Sequence, residues 1–370
     1  MSKLLLEENQ RRSECNFGSH RERLEFQNTR MNRKSLVMLL AITIAWTASA
    51  KVVCKETEGA ITVTVDGRPV LKYNKSTLTG PRGTEPHFAR SGHIHPVWNP
   101  NGQIVSGDFP FDHKHQHALF FAWTRCEFEG RRMEFWNQKL ELGRIAHEKV
   151  LKVESGSTSG GFTVRLTYQD IADPKKPKPI LHEIWTVRVY GDSRDHFRFD
   201  LTSKQTCATS SALKIQKYHY GGMALRGSNE WIDTELRDQI RDWEKKRKDK
   251  PKADIAEPRR KYNYLTSESL KWKAGNHSRP NWVSLHGKLD NQPTGIAVLS
   301  HPSNFRSPQP VRLHPHMPYF CWAPMVLGEF EVAPGKPYVS KFRYIVHKGE
   351  PDAKKLNRQW RAFAEEKSSN

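Results

Sequence analysis

Ile61-Thr62-Val63-Thr64-Val65, then Asp66-Gly67, then Pro69-Val70-Leu71-Lys72-Tyr73 is the stretch whose reading decides the fold. Apolar and hydroxyl side chains alternate with period two, the pattern of a strand with one face buried. Asp-Gly supplies the positive φ angles of a tight hairpin turn. The same grammar recurs along the chain. Ile94 to Trp98 and Ile104-Val105 flank Asn99-Pro-Asn-Gly102, and Leu119 to Cys126 and Met133 to Trp136 flank Glu129-Gly-Arg-Arg132. Val150 to Val153 and Phe162 to Tyr168 surround a Gly/Ser run, and Ile184 to Tyr190 and His196 to Leu201 flank Gly191-Asp192. Trp282 to Leu285, Ile296 to Leu299, Tyr319 to Trp322 and Lys341 to His347 continue the series. Many short strands with regularly spaced turns predict a mainly β fold, a large antiparallel β-sandwich.

Two helices interrupt it. Leu236, Ile240 and Trp243 fall on one face of a helical insertion near 233–249, inside a charged segment 233–261. Leu356, Trp360 and Phe363 repeat the spacing in a C-terminal helix over 352–366 that docks on the sheet. Neither divides the chain, so residues 51–370 read as one β domain.

The amino terminus carries a targeting signal. Met31-Asn-Arg-Lys-Ser opens a short basic region, Leu36 to Trp46 is apolar, and Ala48-Ser49-Ala50 is a small-residue exit site. Residues 31–50 therefore read as a secretory signal peptide, with a signal anchor as the alternative, and the polar extension 1–30 precedes an internal Met that reads as the start. The expectation is an exported protein, periplasmic or secreted. Export permits disulfides, and Cys54, Cys126, Cys207 and Cys321 are left either bridged or as buried free thiols. The formal charge of +20 attracts polyanions such as sulfated or uronate-bearing polysaccharide. Nucleic acid fits the charge but conflicts with export.

The densest chemistry is Asp108-Phe-Pro-Phe-Asp112-His113-Lys-His115-Gln-His117, running into Ala118 to Trp123. If strand geometry starts by His113, then His113, His115 and His117 share a face with Leu119, Phe121 and Trp123. Such imidazoles could act as acid or base, or grip a single metal ion with help from His93, His95, His219, His314 or His316. His219 precedes a Gly pair, Asn304 and Arg306 lie in a turn-rich loop able to orient hydroxyls, and Trp98, Trp123, Trp136 and Trp322 are candidates for stacking on sugar rings. No Ser/His/Asp order, P-loop or dinucleotide fingerprint is present.

Several of these segments together resemble a bacterial family catalogued as "methane oxygenase PmoA" proteins, frequent among planctomycetes. They are His93-Ile-His95-Pro96, Asp108-Phe-Pro110 to Asp112-His113, His115-Gln-His117, Tyr218 to Arg226, Trp282 to Gly287, His301 to Arg306 and Arg343 to His347. The resemblance spans roughly His87 to Leu356. Its central motif also occurs as His-His-Arg-Gly, so Gln116 and His117 represent one variant. The sandwich it implies is similar to the galactose mutarotase-like architecture, where a His and a carboxylate exchange protons on a sugar ring. Carried over, His115 or His219 would be acid or base, and Asn304 and Arg306 would bind hydroxyls. Asp112 and Glu329 are candidate carboxylates without a matched motif. His117 is a further acid–base candidate, and His93, His95 and Trp98 are further candidates for substrate binding. A membrane oxygenase would need several apolar spans of about 20 residues. The chain has no such run beyond its leader, and its mean hydropathy is −0.75, so that reading of the label is excluded.

The expected function is acid–base chemistry on a sugar or polysaccharide in a His-lined pocket. The alternatives are a non-catalytic module for acidic polysaccharide and a soluble metal-dependent oxidoreductase.

Overall fold

The computed structural model describes residues 51–250 and 255–366. The expected leader and extension over 1–50 lie outside them.

Two eight-stranded antiparallel sheets and a four-stranded one carry the architecture. The first sheet runs, in spatial order, Val52–Glu56, Ala60–Val65, Arg68–Asn74, His93–Val97, Leu119–Ala122, Gly222–Arg226, Tyr319–Trp322 and Val311–Leu313. The second runs Tyr262–Thr266, Trp282–Leu289, Gln292–Ser300, Tyr338–Lys348, His196–Cys207, Lys178–Tyr190, Ser159–Asp170 and Gly143–Glu154. The opening hairpin forms as the alternation predicts: Val65 pairs with Arg68 across Asp66 and Gly67, both at positive φ. Ile61, Val63 and Val65 are buried, while Thr62 and Thr64 are half-buried.

The sheets meet face to face through large side chains. Tyr73 of the first sheet packs against Phe162 and Trp185 of the second, with ring centroids 5.3 and 6.2 Å apart. One indole caught in this interface is matched: Trp123 Nε1 donates to Gln205 Oε1 at 2.7 Å. A buried indole N–H without an acceptor would cost about 1–3 kcal/mol.

Both predicted helices are present. Leu236–Asp249 buries Leu236 and Ile240, and Ala353–Glu365 buries Leu356 and Phe363 against Trp282, Leu299 and Ile345. Asp352 caps the latter, its carboxylate accepting from the Lys355 amide at 3.0 Å.

One expected strand divides. Leu119 to Cys126 leaves the first sheet after Ala122, turns at Arg125 with φ of 50°, and re-enters as Cys126–Phe128 of the four-stranded sheet. An unbroken apolar run contains no mark of such a change of sheet. Cys54, Cys126, Cys207 and Cys321 are all free thiols, which settles the disulfide alternative for the described residues. No described helix is long and apolar enough to cross a membrane.

Candidate functional site

The histidines of the central motif are not on one strand face. The Pro110 carbonyl accepts from the His113 amide and the His113 carbonyl from the Gln116 amide, so the motif runs as successive turns. His117 makes an isolated bridge to Asp108, Ala118 then adopts φ of 50°, and the strand itself begins at Leu119. The predicted row of His113, His115 and His117 is therefore broken by backbone geometry. As a joint metal site those three do not come together.

His113 and His115 instead open onto a cleft of about 170 Å³ with His219, His314, Arg312 and Tyr220. It is built on four neighbouring strands of the first sheet. Turns ahead of Leu119 and Tyr319 supply His113, His115 and His314, while the segment ahead of Gly222 supplies His219 and Tyr220. Trp136 floors it, packing on Phe120, Tyr220 and Tyr319 at 4.8 to 5.8 Å between centroids.

A buried cation holds the histidine turns. Arg226 is fully buried and donates Nη1 to Gln116 Oε1 at 2.8 Å. Its Nη2 reaches both oxygens of Asp112 at 2.8 and 3.0 Å. Burial alone would raise the Asp112 pKa, but His113 and Arg226 outweigh it and hold the carboxyl below its ordinary range. On the opposite wall, Gly221 and Gly222 have φ of 132° and 97°, and a Cβ on Gly222 would lie 2.3 Å from the Trp322 carbonyl oxygen. The Gly pair after Tyr220 is thus a requirement of close backbone approach. Tyr220 and Asn137 exchange hydrogen bonds at 3.0 and 3.2 Å, fixing the phenol at the rim.

Electrostatically the cleft sets His115, His219 and His314, each with its pKa lowered, around the cation of Arg312. Burial, then the neighbouring His113, His117 and Arg226, pushes the His115 pKa down to about 3. Burial and then His316 and Arg312 push His314 lower still, and burial and Arg312 lower His219. None of the lining residues is a carboxylate. Arg312 donates Nη1 to Asn276 Oδ1 at 3.2 Å and has no ion-pair partner among the described residues. A carboxylate or sulfate placed near Arg312 would raise the proton affinity of the imidazoles around it.

The remaining predicted residues are elsewhere. His117 is fully buried, with Nδ1 2.9 Å from Asp108 Oδ1 and Nε2 2.9 Å from Gln138 Oε1. His93 is buried against the other oxygen of Asp108 at 3.0 Å. His95 bonds Ser106 Oγ at 3.0 Å, and Trp98 is half-buried outside the cleft. Asn304 is spent on its own loop, donating to Ser300 Oγ and the Lys341 carbonyl and accepting from the Lys341 amide. Arg306 donates to the carbonyls of Pro324, Gly328 and Glu329. Asn304 thus spends its amide on its own loop, while Arg306 spends three of its five N–H donors on backbone carbonyls. Glu329 is exposed outside the cleft. Arg312, Asn137 and Tyr220 were missed by sequence reasoning. A single arginine ahead of Leu313-His314-Pro315-His316 carries little signal until the chain folds.

Residues 60–361 match the family described as "Family of unknown function (DUF6807)". The chain belongs to this family. Its matched region contains both walls of the cleft. No curated protein matches the chain. Among solved structures, it is similar to heparan sulfate lyase HepC from Pedobacter heparinus at 9% identity and a TM-score of 0.33, covering 82% of this chain and 36% of that one. It thus spans about a third of the length of that lyase. A protein described as an aldose 1-epimerase from Klebsiella pneumoniae aligns at 8% identity and a TM-score of 0.32, covering 85% and 84% of the two chains.

Proposed function

We propose that this member of the family is an exported carbohydrate-active protein that performs acid–base chemistry on a negatively charged sugar in the His115–His219 cleft. The observation that carries the reading is the unpaired Arg312 set among neutral imidazoles with no lining carboxylate. Export is supported by the apolar segment Leu36 to Trp46 and its small-residue exit site. The shared motifs of the PmoA-labelled proteins support the choice of site, because two of them supply His115, His219 and Tyr220. The activity in that label is not taken up.

In this reading Arg312 receives the substrate's carboxylate or sulfate, and Tyr220 and Asn137 hold hydroxyls at the rim. The bound anion offsets the depression of the imidazole pKa values, so His115 becomes a competent base only when the site is filled. His219, nearer the solvent, returns or accepts the second proton. Water-bound enzyme is then inactive towards proton abstraction, a form of selectivity built from desolvation.

The test is product formation from a panel of uronate-bearing and sulfated polysaccharides. His115→Ala and His219→Ala should each lower the rate by about 10²–10⁴-fold, the usual worth of a positioned acid or base. Unchanged turnover in both variants would sink the assignment. A second reading, a binding module, is favoured by the same unpaired Arg312. It predicts salt-sensitive binding, weakened in Arg312→Met, with no product from the wild-type protein.

A further inference from the structure

Behind the cleft, His93, Asp108 and His117 bring two imidazoles and a carboxylate together in the interior, their donor atoms all within 4.8 Å of one another. The hydrogen-bond geometry of His117 constrains what can lie among them. The Gln138 amide nitrogen faces the carbonyls of Phe88 and Ala89 at 3.5 and 3.3 Å, which turns its Oε1 to His117 Nε2 at 2.9 Å. An amide oxygen accepts only, so Nε2 carries the proton. With Nε2 turned to that acceptor, Nδ1 faces Asp108 Oδ1 at 2.9 Å. Two lone pairs cannot face each other at that distance without a cation between them. On the other side, His93 Nε2 lies 3.0 Å from Asp108 Oδ2, and His93 Nδ1 has no hydrogen-bond partner.

We propose that His93 Nε2, His117 Nδ1 and the two oxygens of Asp108 bind a single divalent transition-metal ion, zinc by preference. Two borderline nitrogen ligands and one carboxylate suit zinc or ferrous iron. Ligand atoms at about 2.0–2.1 Å from an ion are about 2.8–3.4 Å from one another at octahedral or tetrahedral angles, and the two His–Asp spacings of 2.9 and 3.0 Å fall in that range. The Gln138 contact is the outer-shell support such sites use: a ligating histidine donates its second N–H to an oxygen that fixes its tautomer. Arg90, whose charge also acts on Asp108, is turned away, donating Nη2 to the Phe121 carbonyl at 3.2 Å. Two buried histidines and the half-buried Asp108 would hold the ion. It ties the His93–Val97 strand to the turns that carry His113 and His115. This site is separate from the cleft, and the inference stands whether or not the cleft is catalytic.

The experiment is metal analysis of the full chain, purified without chelator, followed by thermal unfolding before and after chelation. About one equivalent of zinc per chain is expected, with a Tm lower by about 4 °C after chelation and restored by Zn²⁺. His93→Ala and Asp108→Asn should lose both the ion and the Tm response, whereas His115→Ala should keep them. Should those variants fail to fold, anomalous scattering from zinc-soaked crystals of the wild-type chain locates the ion directly. A metal content near zero with a Tm indifferent to Zn²⁺, Fe²⁺ and Mn²⁺ overturns the proposal, leaving a proton as the cation between His117 and Asp108. An ion located on His113, His115 or His314 overturns it equally.

Discussion

Arg226 shows how a single buried side chain organises the cleft without lining it. It satisfies Gln116 and Asp112 at once, and so sets where His113 and His115 point. Arg226→Met removes the cation but leaves the Asp112 carboxylate and the Gln116 amide without a partner. Breaking a buried ion pair from one side costs about 3–5 kcal/mol. Because Asp112 keeps 21% side-chain exposure, the expected loss is at the lower end, about 3 kcal/mol in urea unfolding. A double variant Arg226→Met/Asp112→Leu should recover part of it, since the orphaned charge is then gone. At this scale the sequence was informative about residue types and poor about directions. His115 and His219 were picked out as acid–base candidates and do line one cleft, whereas His117 was grouped with them on a period-two argument. That argument fails because the chain turns from Pro110 to His113 and again from His113 to Gln116, and nothing in the motif distinguishes such residues from extended ones.

The elements themselves were the most legible part. Strands such as Ile61–Val65 and the helix face of Leu356, Trp360 and Phe363 follow from periodicity, which depends only on local backbone geometry. The C-terminal helix is attached through few side chains: Phe363 packs on His301 with centroids 4.9 Å apart, and Trp360 Nε1 donates to the Ser300 carbonyl at 2.9 Å. Phe363→Ala should cost about 3–4 kcal/mol by cavity formation. Hydrogen exchange should show the loss concentrated in 353–365, and protection unchanged there would contradict this account of docking. The strand entry at Gly222 is a second sensitive point. Gly222→Ala combines a φ of 97° with a 2.3 Å approach to the Trp322 carbonyl oxygen. It should destabilise by more than about 2 kcal/mol and displace Tyr220 from the rim. A denaturation midpoint equal to wild type would refute that.

Across the whole molecule, buried neutral histidines make stability depend on acid. His286 and His347 flank Gly295 on adjoining strands of the second sheet, and burial pushes both pKa values down to about 4. Their unfolded value is near 6.5, so between those limits the unfolded chain binds protons that the folded one refuses. Stability from this pair is therefore complete above about pH 6.5 and declines as pH falls towards 4, by up to about 2.7 kcal/mol per pH unit. Urea midpoints measured from about pH 7 down to about pH 5 should fall steeply, and His286→Gln should reduce the slope by about 1.4 kcal/mol per pH unit, the rest coming from His347 and other buried imidazoles such as His115 and His314. A flat profile would mean that these imidazoles are charged in the folded state. The charge of +20 acts at the same scale. In the proposed reading it would draw polyanions towards the surface over a Debye length of about 10 Å at moderate salt, while Arg312 would select among them inside the cleft.

What the chain determined by itself was its mainly β character, its turns, its two amphipathic helices and its supply of imidazoles, because each is a property of neighbours in sequence. What only the folded molecule decided was the partnership of residues far apart along it. His115 meets His314 and Arg312, and His117 meets His93 and Asp108. Those meetings depend on strand order and on a few positive-φ residues that switch direction, and neither leaves a periodic trace. The exchange of one expected three-histidine row for two distinct clusters has that physical cause.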